Sequence, residues 1–170
     1  MTEPLSWSHR GADVPEAGLE VTRAATSAER AAVAQALGIL ACDALSADYR
    51  VRPLGEGRYR MTGKLSAQVT QECVVTLEPV AETIAEELDV AFWPADSLPP
   101  STDAEVEVLT AAEIEPIEHG QIEAGRVLFE ILSASLDPYP RKPGARFEWE
   151  DASPGAAGPF AGLKKLRNEL

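Results

Sequence analysis

The feature that most limits the possible folds is a long alternation of apolar and polar residues around the turn-forming segment Pro53–Gly57. Tyr49 and Val51 alternate with charged residues before the turn, and Tyr59 and Met61 do so after it. Successive side chains of a β-strand point to opposite faces of the sheet. The pattern therefore predicts a β-hairpin with one apolar face and one basic face. The basic face contains Arg50, Arg52, Arg58 and Arg60.

The register of this hairpin follows from matching both faces at once. We predict that Arg52 lies opposite Arg58 and that Val51 lies opposite Tyr59. A slip of one residue would exchange the two faces, so this pairing is strongly specified.

The second strand of the hairpin is unusually long. Its alternation continues from Arg58 as far as Leu77, which exceeds the length of one flat strand. We therefore expect a bend or a bulge at Gly63 or at the polar pair 71–72.

The remaining pattern supplies both strands and helices. We predict a strand over 19–23, a helix that starts after Thr26 or Ser27 and ends at Gly38, strands over 82–92 and 105–109, and a helix from Gln121 to about Leu136. Segment 114–117 fits a helix or a strand. The fold class is therefore α+β, with two main helices and an antiparallel sheet that could curl towards a barrel.

The length of 170 residues favours one domain. We expect an irregular N-terminal arm over 1–18, a single α+β domain over 19–150, and a flexible linker with a short amphipathic segment over 151–170. This last segment has an apolar face flanked by bases, which suits docking on a partner. Its candidate docking residues are Phe160, Leu163, Lys164, Lys165, Leu166 and Arg167.

The N-terminus and the apolar segments carry no export or membrane signal. The first residues lack the apolar core of a signal peptide, and the longest apolar stretch, 33–45, is too short and too polar to span a bilayer. We therefore expect a cytoplasmic protein with no membrane partner.

The charge of the chain is strongly acidic and unevenly distributed. It contains 28 Asp and Glu against 15 Lys and Arg, a net charge of -13. No Lys or Arg occurs between Lys64 and Arg126, whereas acidic residues recur there. We therefore do not expect bulk nucleic-acid binding, whereas binding of RNA through a local basic patch remains open.

The basic hairpin face is the most informative candidate site. Like charges on neighbouring strands repel each other unless an anion or carboxylates lie opposite. Arginine also suits the two-pronged recognition of phosphate or carboxylate. Three alternatives remain open, namely an anionic partner, pairing with the protein's own acidic residues, and a solvated face. The candidate residues are Arg50, Arg52, Arg58, Arg60 and Lys64. Because aromatic residues are few, any RNA contact should be mostly electrostatic.

Catalytic and metal-binding patterns are absent. The chain has no phosphate-binding loop, dinucleotide fingerprint, nucleophile elbow or zinc-protease motif. Cys42 and Cys73 fit buried hydrophobic positions, and acidic Glu72 should raise the pKa of the Cys73 thiol. His9 and His119 show no zinc-ligand spacing, and His119 fits a turn. We therefore predict no catalytic residue, metal, cofactor or small-molecule substrate.

Three stretches of the chain occur in a characteristic order. They are GKLSAQVTQECVVTLEPV from Gly63, QIEAGRVLFEILSASLDPYPRKPG from Gln121, and PFAGLKKL from Pro159. Together they resemble the YceD family, the large ribosomal RNA subunit accumulation proteins. Many members of that family carry a Cys-x-x-Cys pair in the first stretch, whereas Thr76 replaces the second cysteine here.

The resemblance implies a non-enzymatic role in the synthesis, processing or stability of 23S ribosomal RNA. The implied partner is ribosomal RNA, or a ribosomal or assembly protein. Two mechanisms compete: the basic face and the basic tail bind RNA, or the acidic span binds a basic ribosomal protein as an adaptor without RNA contact. A hydrolase that uses buried carboxylates is the third class.

Overall fold

A computed structural model describes residues 4–98 and 113–147 of the chain. Two helices and seven strands lie in these ranges, together with 3-10 turns at Gly11–Asp13 and Ala95–Ser97. In chain order the elements are β1 (His9–Arg10), β2 (Leu19–Ala24), α1 (Ser27–Leu37), β3 (Ala41–Gly55), β4 (Arg58–Glu72), β5 (Pro79–Pro94), β6 (Glu113–Ile117), β7 (Gln121–Ile122) and α2 (Ala124–Ser135).

The main sheet has the strand order β2-β3-β4-β5-β6, and β1 pairs with β7 in a small second sheet. The α+β class is confirmed. The expectation of an antiparallel sheet is wrong for one pair, because β6 runs parallel to β5. A parallel pair needs a long connection, which residues 95–112 provide. Within the described ranges β2 and β6 do not pair with each other, so the expected curl towards a barrel is not confirmed.

The hairpin of β3 and β4 forms as expected, but its predicted register is wrong by two residues. Arg52 lies opposite Arg60, and Val51 lies opposite Met61. The reason is that β3 continues to Gly55, so that the turn consists of Glu56 and Gly57 rather than of all the residues 53–57, and a bulge between Pro53 and Gly55 sets the pairing beyond the turn. A shift of two residues keeps every side chain on its predicted face.

The bulges of the hairpin lie in β3 rather than at the positions expected in β4. They occur between Cys42 and Ala44 and at the turn. Gly63 has a different role, because a Cβ atom there would lie 2.2 Å from the carbonyl oxygen of Asp48 and 2.5 Å from Cα of Tyr49. Gly63 therefore allows the backbones of β3 and β4 to approach closely.

One face of the sheet is covered by α2 and by the N-terminal segment. Leu5 and Trp7 are buried, and the Gly125 N–H donates to the Trp7 carbonyl over 2.7 Å. A Cβ atom on Gly125 would lie 2.2 Å from the carbonyl oxygen of Leu5, so the N-terminal segment crosses the first turn of α2 directly. The largest buried side chains of this core include Phe92, Met61, Leu65, Ile122, Leu128 and Leu132.

The helix α1 matches its predicted position, whereas α2 begins at Ala124 rather than at Gln121, because Gln121 and Ile122 form the strand β7. The side chain of Thr26 accepts from the Glu29 N–H, and the Glu29 carboxylate accepts from the Thr26 N–H, so Thr26 begins α1 with a capping box. Gly38 ends this helix in the left-handed conformation, and Leu136 caps α2. No helix in the described part of the chain is long and apolar enough to cross a membrane.

Candidate anion-binding surface

The predicted basic residues all lie on the face of the sheet that no described element covers, which we call the uncovered face. Strand alternation puts them opposite the buried side chains, and Arg52 and Arg60 are direct cross-strand neighbours. Lys64 lies between Asp48 on β3 and Glu87 on β5. We call this surface the arginine face, and it consists of Arg50, Arg52, Arg58, Arg60 and Lys64.

Arg60 is paired within the protein. Its Nε donates to Asp89 over 2.7 Å and its Nη2 does so over 2.6 Å. The hydrogen bonds and opposite charges raise the pKa of Arg60 and lower that of Asp89. Both side chains are about half exposed, so water screens this pair.

Arg50 contacts the segment that leads into β2. It donates to the carbonyl oxygen of Ala17, and its Nη1 lies 3.6 Å from Glu20. These contacts neutralise part of its charge and fix its position beside Arg52.

Arg58 stacks on an aromatic ring that sequence reasoning missed. Its Cζ atom lies 4.4 Å from the ring centroid of Trp93, at the end of β5. Glu56 lies 3.6 Å from the same guanidinium group. The signal for Trp93 was present, because it follows Glu87, Asp89 and Ala91 in the same alternation and therefore lies on their face of the strand. The arginine face therefore also offers a partly exposed aromatic ring.

Arg52 and Lys64 differ from the other three cations. Among the described residues no carboxylate lies within ion-pair distance of either group. The face thus combines cations that are paired internally with cations that are available to an outside anion.

Cys73 lies just beyond the other end of β4, as the buried first residue of an otherwise mostly exposed turn that a facing loop contacts. The N–H groups of Thr76 and Lys142 each lie 3.4 Å from its Sγ. Hydrogen bonding from the Thr76 side chain and from these backbone groups lowers the pKa of Cys73 to about 6. The expectation that Glu72 would raise this pKa is therefore wrong. The thiol is fully buried, as expected, and it joins the turn to the loop.

The histidines and the second cysteine have local structural roles. His9 Nε2 and the Tyr49 hydroxyl share a hydrogen bond of 2.7 Å, and burial lowers the pKa of His9. His119 occupies a turn with a φ of 51°, as predicted. Burial raises the pKa of Cys42. In the ranges 4–98 and 113–147 no three metal-ligating side chains come together.

Several predicted features lie outside the described residues. They are the strand over 105–109, the linker, and the docking residues Phe160, Leu163, Lys164, Lys165, Leu166 and Arg167.

Comparison with known proteins gives one match. The model of the family described as "Large ribosomal RNA subunit accumulation protein YceD" matches residues 61–167, which is more than half of the chain. The matched segment contains Lys64 but starts after the four arginines. No curated protein and no solved structure matches significantly.

Proposed function

The chain belongs to the YceD family of large ribosomal RNA subunit accumulation proteins, and we propose that it is a non-enzymatic accessory factor for the synthesis, processing or stability of 23S ribosomal RNA. It acts in the cytoplasm during assembly of the large subunit. Its mechanism is direct contact with RNA through the arginine face.

The observation that carries this mechanism is the position of Arg52 and Lys64. Both lie on the uncovered face of the sheet, and neither has an ion-pair partner among the described residues. Such cations release counterions when they neutralise phosphates, and this release drives association with RNA. Arg58 and Trp93 extend the same face with a flat group on which a base can stack.

The acidic remainder of the molecule limits where RNA can bind. β5 carries exposed Glu87 and Asp89 next to the basic residues, on the same face of the sheet. These carboxylates repel phosphate. RNA is therefore confined to the hairpin end of the sheet.

The C-terminal segment over 151–170 provides a second contact in this proposal. Its basic residues add to the electrostatic attraction, and its apolar residues dock on an assembly partner. The residues concerned are Phe160, Leu163, Lys164, Lys165, Leu166 and Arg167.

The adaptor mechanism is the second candidate. Residues 65–125 contain no Lys or Arg, so a basic ribosomal protein could bind there without any RNA contact. Identification of the partner separates the two mechanisms, whereas salt dependence does not.

A double variant tests direct RNA contact without breaking an internal ion pair. The Arg52→Gln, Lys64→Gln variant removes the two available cations. The control variant, Arg141→Gln with Arg146→Gln, removes the same amount of charge from the exposed loop at the opposite end of the sheet. We expect the first variant alone to bind 23S ribosomal RNA fragments at least tenfold more weakly, with a salt dependence that is shallower by about two counterions.

Crosslinking in growing cells supplies the complementary readout. Wild-type protein should crosslink to 23S ribosomal RNA, and the Arg52→Gln, Lys64→Gln variant should lose that crosslink. Equal RNA affinity of the two double variants, together with crosslinks to a ribosomal protein alone, would replace this mechanism with the adaptor mechanism.

A further inference from the structure

A cleft of about 610 Å³ opens at the hairpin end of the sheet, and the mechanism proposed above gives it no role. One wall comes from β1 and the turn before β7, and the opposite wall comes from the start of β4 and the end of β5. The side chains that matter for its chemistry are Arg10, Tyr59, Asp96, Ile117, His119 and Gln121.

The first wall is held in place by backbone pairing. Arg10 lies opposite Gln121 in the small sheet, and the Gly11 N–H donates to the carbonyl oxygen of Gly120 over 2.9 Å. This pairing places Arg10 next to the turn that carries His119. Both of these side chains are exposed, and both face the cleft.

The second wall contains an aromatic ring in a fixed position. Tyr59 is half-buried, and a Cβ atom on Gly11 would lie 2.8 Å from its hydroxyl oxygen and 3.0 Å from Cζ. The backbone of Gly11 therefore packs directly on the edge of the ring and holds it against the cleft. Ile117 and Pro94 make this side apolar.

These groups form a combination that suits a nucleotide. An aromatic ring with apolar neighbours can contact the face of a base. The guanidinium of Arg10 and an imidazole N–H of His119 can donate to a phosphate group. Gln121 and Asp96 supply donors and acceptors for a base edge or a ribose hydroxyl.

The cleft is continuous with the arginine face around one rim of the sheet. Gly57 and Pro94 line the cleft, and the adjacent residues Arg58 and Trp93 stack on the other face. The cleft and the arginine face therefore adjoin each other at this rim.

We propose that this cleft binds one unstacked nucleotide of single-stranded RNA, with its base against Tyr59 and its phosphate on Arg10 and His119. The inference rests on the proposed function, because it requires direct RNA contact. It adds a preference for unpaired RNA, since a nucleotide held in a duplex cannot be splayed into a cleft.

The test uses two RNA probes, a fluorescein-labelled uridine octamer and a labelled 12-base-pair duplex. The variant is Arg10→Gln with His119→Asn, because both side chains are exposed and Asn tolerates the positive φ of residue 119. Arg141→Gln is the control, since it removes one exposed arginine at the other end of the sheet. We expect the variant to bind the octamer about tenfold more weakly and the duplex as tightly as wild type does.

A third probe distinguishes RNA from a free nucleotide. Uridine 5′-monophosphate at millimolar concentration should shift the amide resonances of Gly11, Gly120 and the Gln121 side chain, and the octamer should shift them at lower concentration. Saturation by the mononucleotide at concentrations at which the octamer has no effect would assign the cleft to a free nucleotide and overturn the proposal.

The remaining outcomes distinguish a failure of the cleft proposal from a failure of the proposed function. If wild-type protein binds neither RNA probe, direct RNA contact fails, and the cleft proposal fails with it. If the Arg52→Gln, Lys64→Gln variant loses the octamer while the cleft variant keeps it, only the cleft proposal is wrong. An equal loss of octamer and duplex in the cleft variant would show a general cationic effect and would also overturn it.

Discussion

Arg60 on β4 and Asp89 on β5 form a two-pronged ion pair at the centre of the arginine face, with nitrogen–oxygen distances of 2.7 and 2.6 Å. Each side chain is about half exposed. An ion pair in such a setting contributes little to stability, because water screens it. Its larger effect is on the surface charge, because Asp89 neutralises the cation that lies opposite Arg52.

The first prediction concerns this neutralisation. Asp89→Asn should release Arg60 and increase the affinity for RNA about threefold to tenfold, while the free energy of unfolding changes by less than about 1 kcal/mol. Glu72→Gln is the matched control, because it removes the same charge from the opposite end of β4. The RNA affinities of both variants, measured at several salt concentrations, test this prediction. An equal gain of affinity in both variants would indicate an effect of net charge alone.

The second prediction concerns the aromatic ring beside Arg58. Trp93→Leu should weaken binding of single-stranded RNA by about 1 kcal/mol, because a stacking surface and a cation–π contact are lost together. Trp93→Phe keeps a smaller ring and should retain part of the affinity. Equilibrium titration with single-stranded RNA tests whether the affinity falls from wild type to Trp93→Phe and further to Trp93→Leu. Identical affinities would mean that the face acts through charge alone.

The faces of the hairpin were predictable, whereas its register was not. Tyr49, Val51 and Met61 are buried with the predicted periodicity, because alternation depends only on a period of two. The register depends on the bulge between Pro53 and Gly55, which no single residue type specifies. Segment 114–117 stayed open between a helix and a strand because so few residues fit both, and it forms the strand β6, whose parallel pairing with β5 was not expected.

The contacts of the candidate sites were predictable only in part. The basic residues were found from composition and spacing. By contrast, the stack of Arg58 on Trp93 joins two strands, and the environment of Cys73 depends on Lys142, which is 69 residues away. The cleft depends on the pairing of β1 with β7, and two-residue strands leave no periodicity in a sequence.

The third prediction concerns acid sensitivity at His9. Burial and the nearby charge of Arg23 lower its pKa below the usual 6.5, so the unfolded state binds more protons below that value. Stability that depends on neutral His9 is therefore present above pH 6.5 and is lost as the pH falls through the folded pKa. His9→Gln can keep a hydrogen bond to Tyr49 without titrating. The melting temperature of wild type should fall more steeply than that of His9→Gln between pH 6.5 and 5, and parallel curves would contradict this explanation.

The fourth prediction concerns the thiol that joins the turn after β4 to the loop around Lys142. Hydrogen bonds from Thr76 and from the Lys142 N–H lower the folded pKa of Cys73 to about 6, whereas a free thiol titrates near 8.5. The stabilisation by the thiolate is therefore complete above about pH 8.5 and is lost as the pH falls through 6.

Replacement of the thiol tests this account directly. Cys73→Ser replaces the thiol with a hydroxyl group that does not ionise in this range. The variant should therefore melt roughly 3 °C below wild type at pH 8.5. The difference between the two proteins should shrink as the pH falls from 8.5 to 5.5. Glu78 forms an ion pair with Lys142 at 2.7 Å beside the thiol, and Cys73→Ser leaves that pair in place. The Glu78→Gln variant serves as the control, because it removes the ion pair and keeps the thiol. A Cys73→Ser deficit that stays constant across this range would show that the sulfur stabilises the turn by packing, in its neutral form.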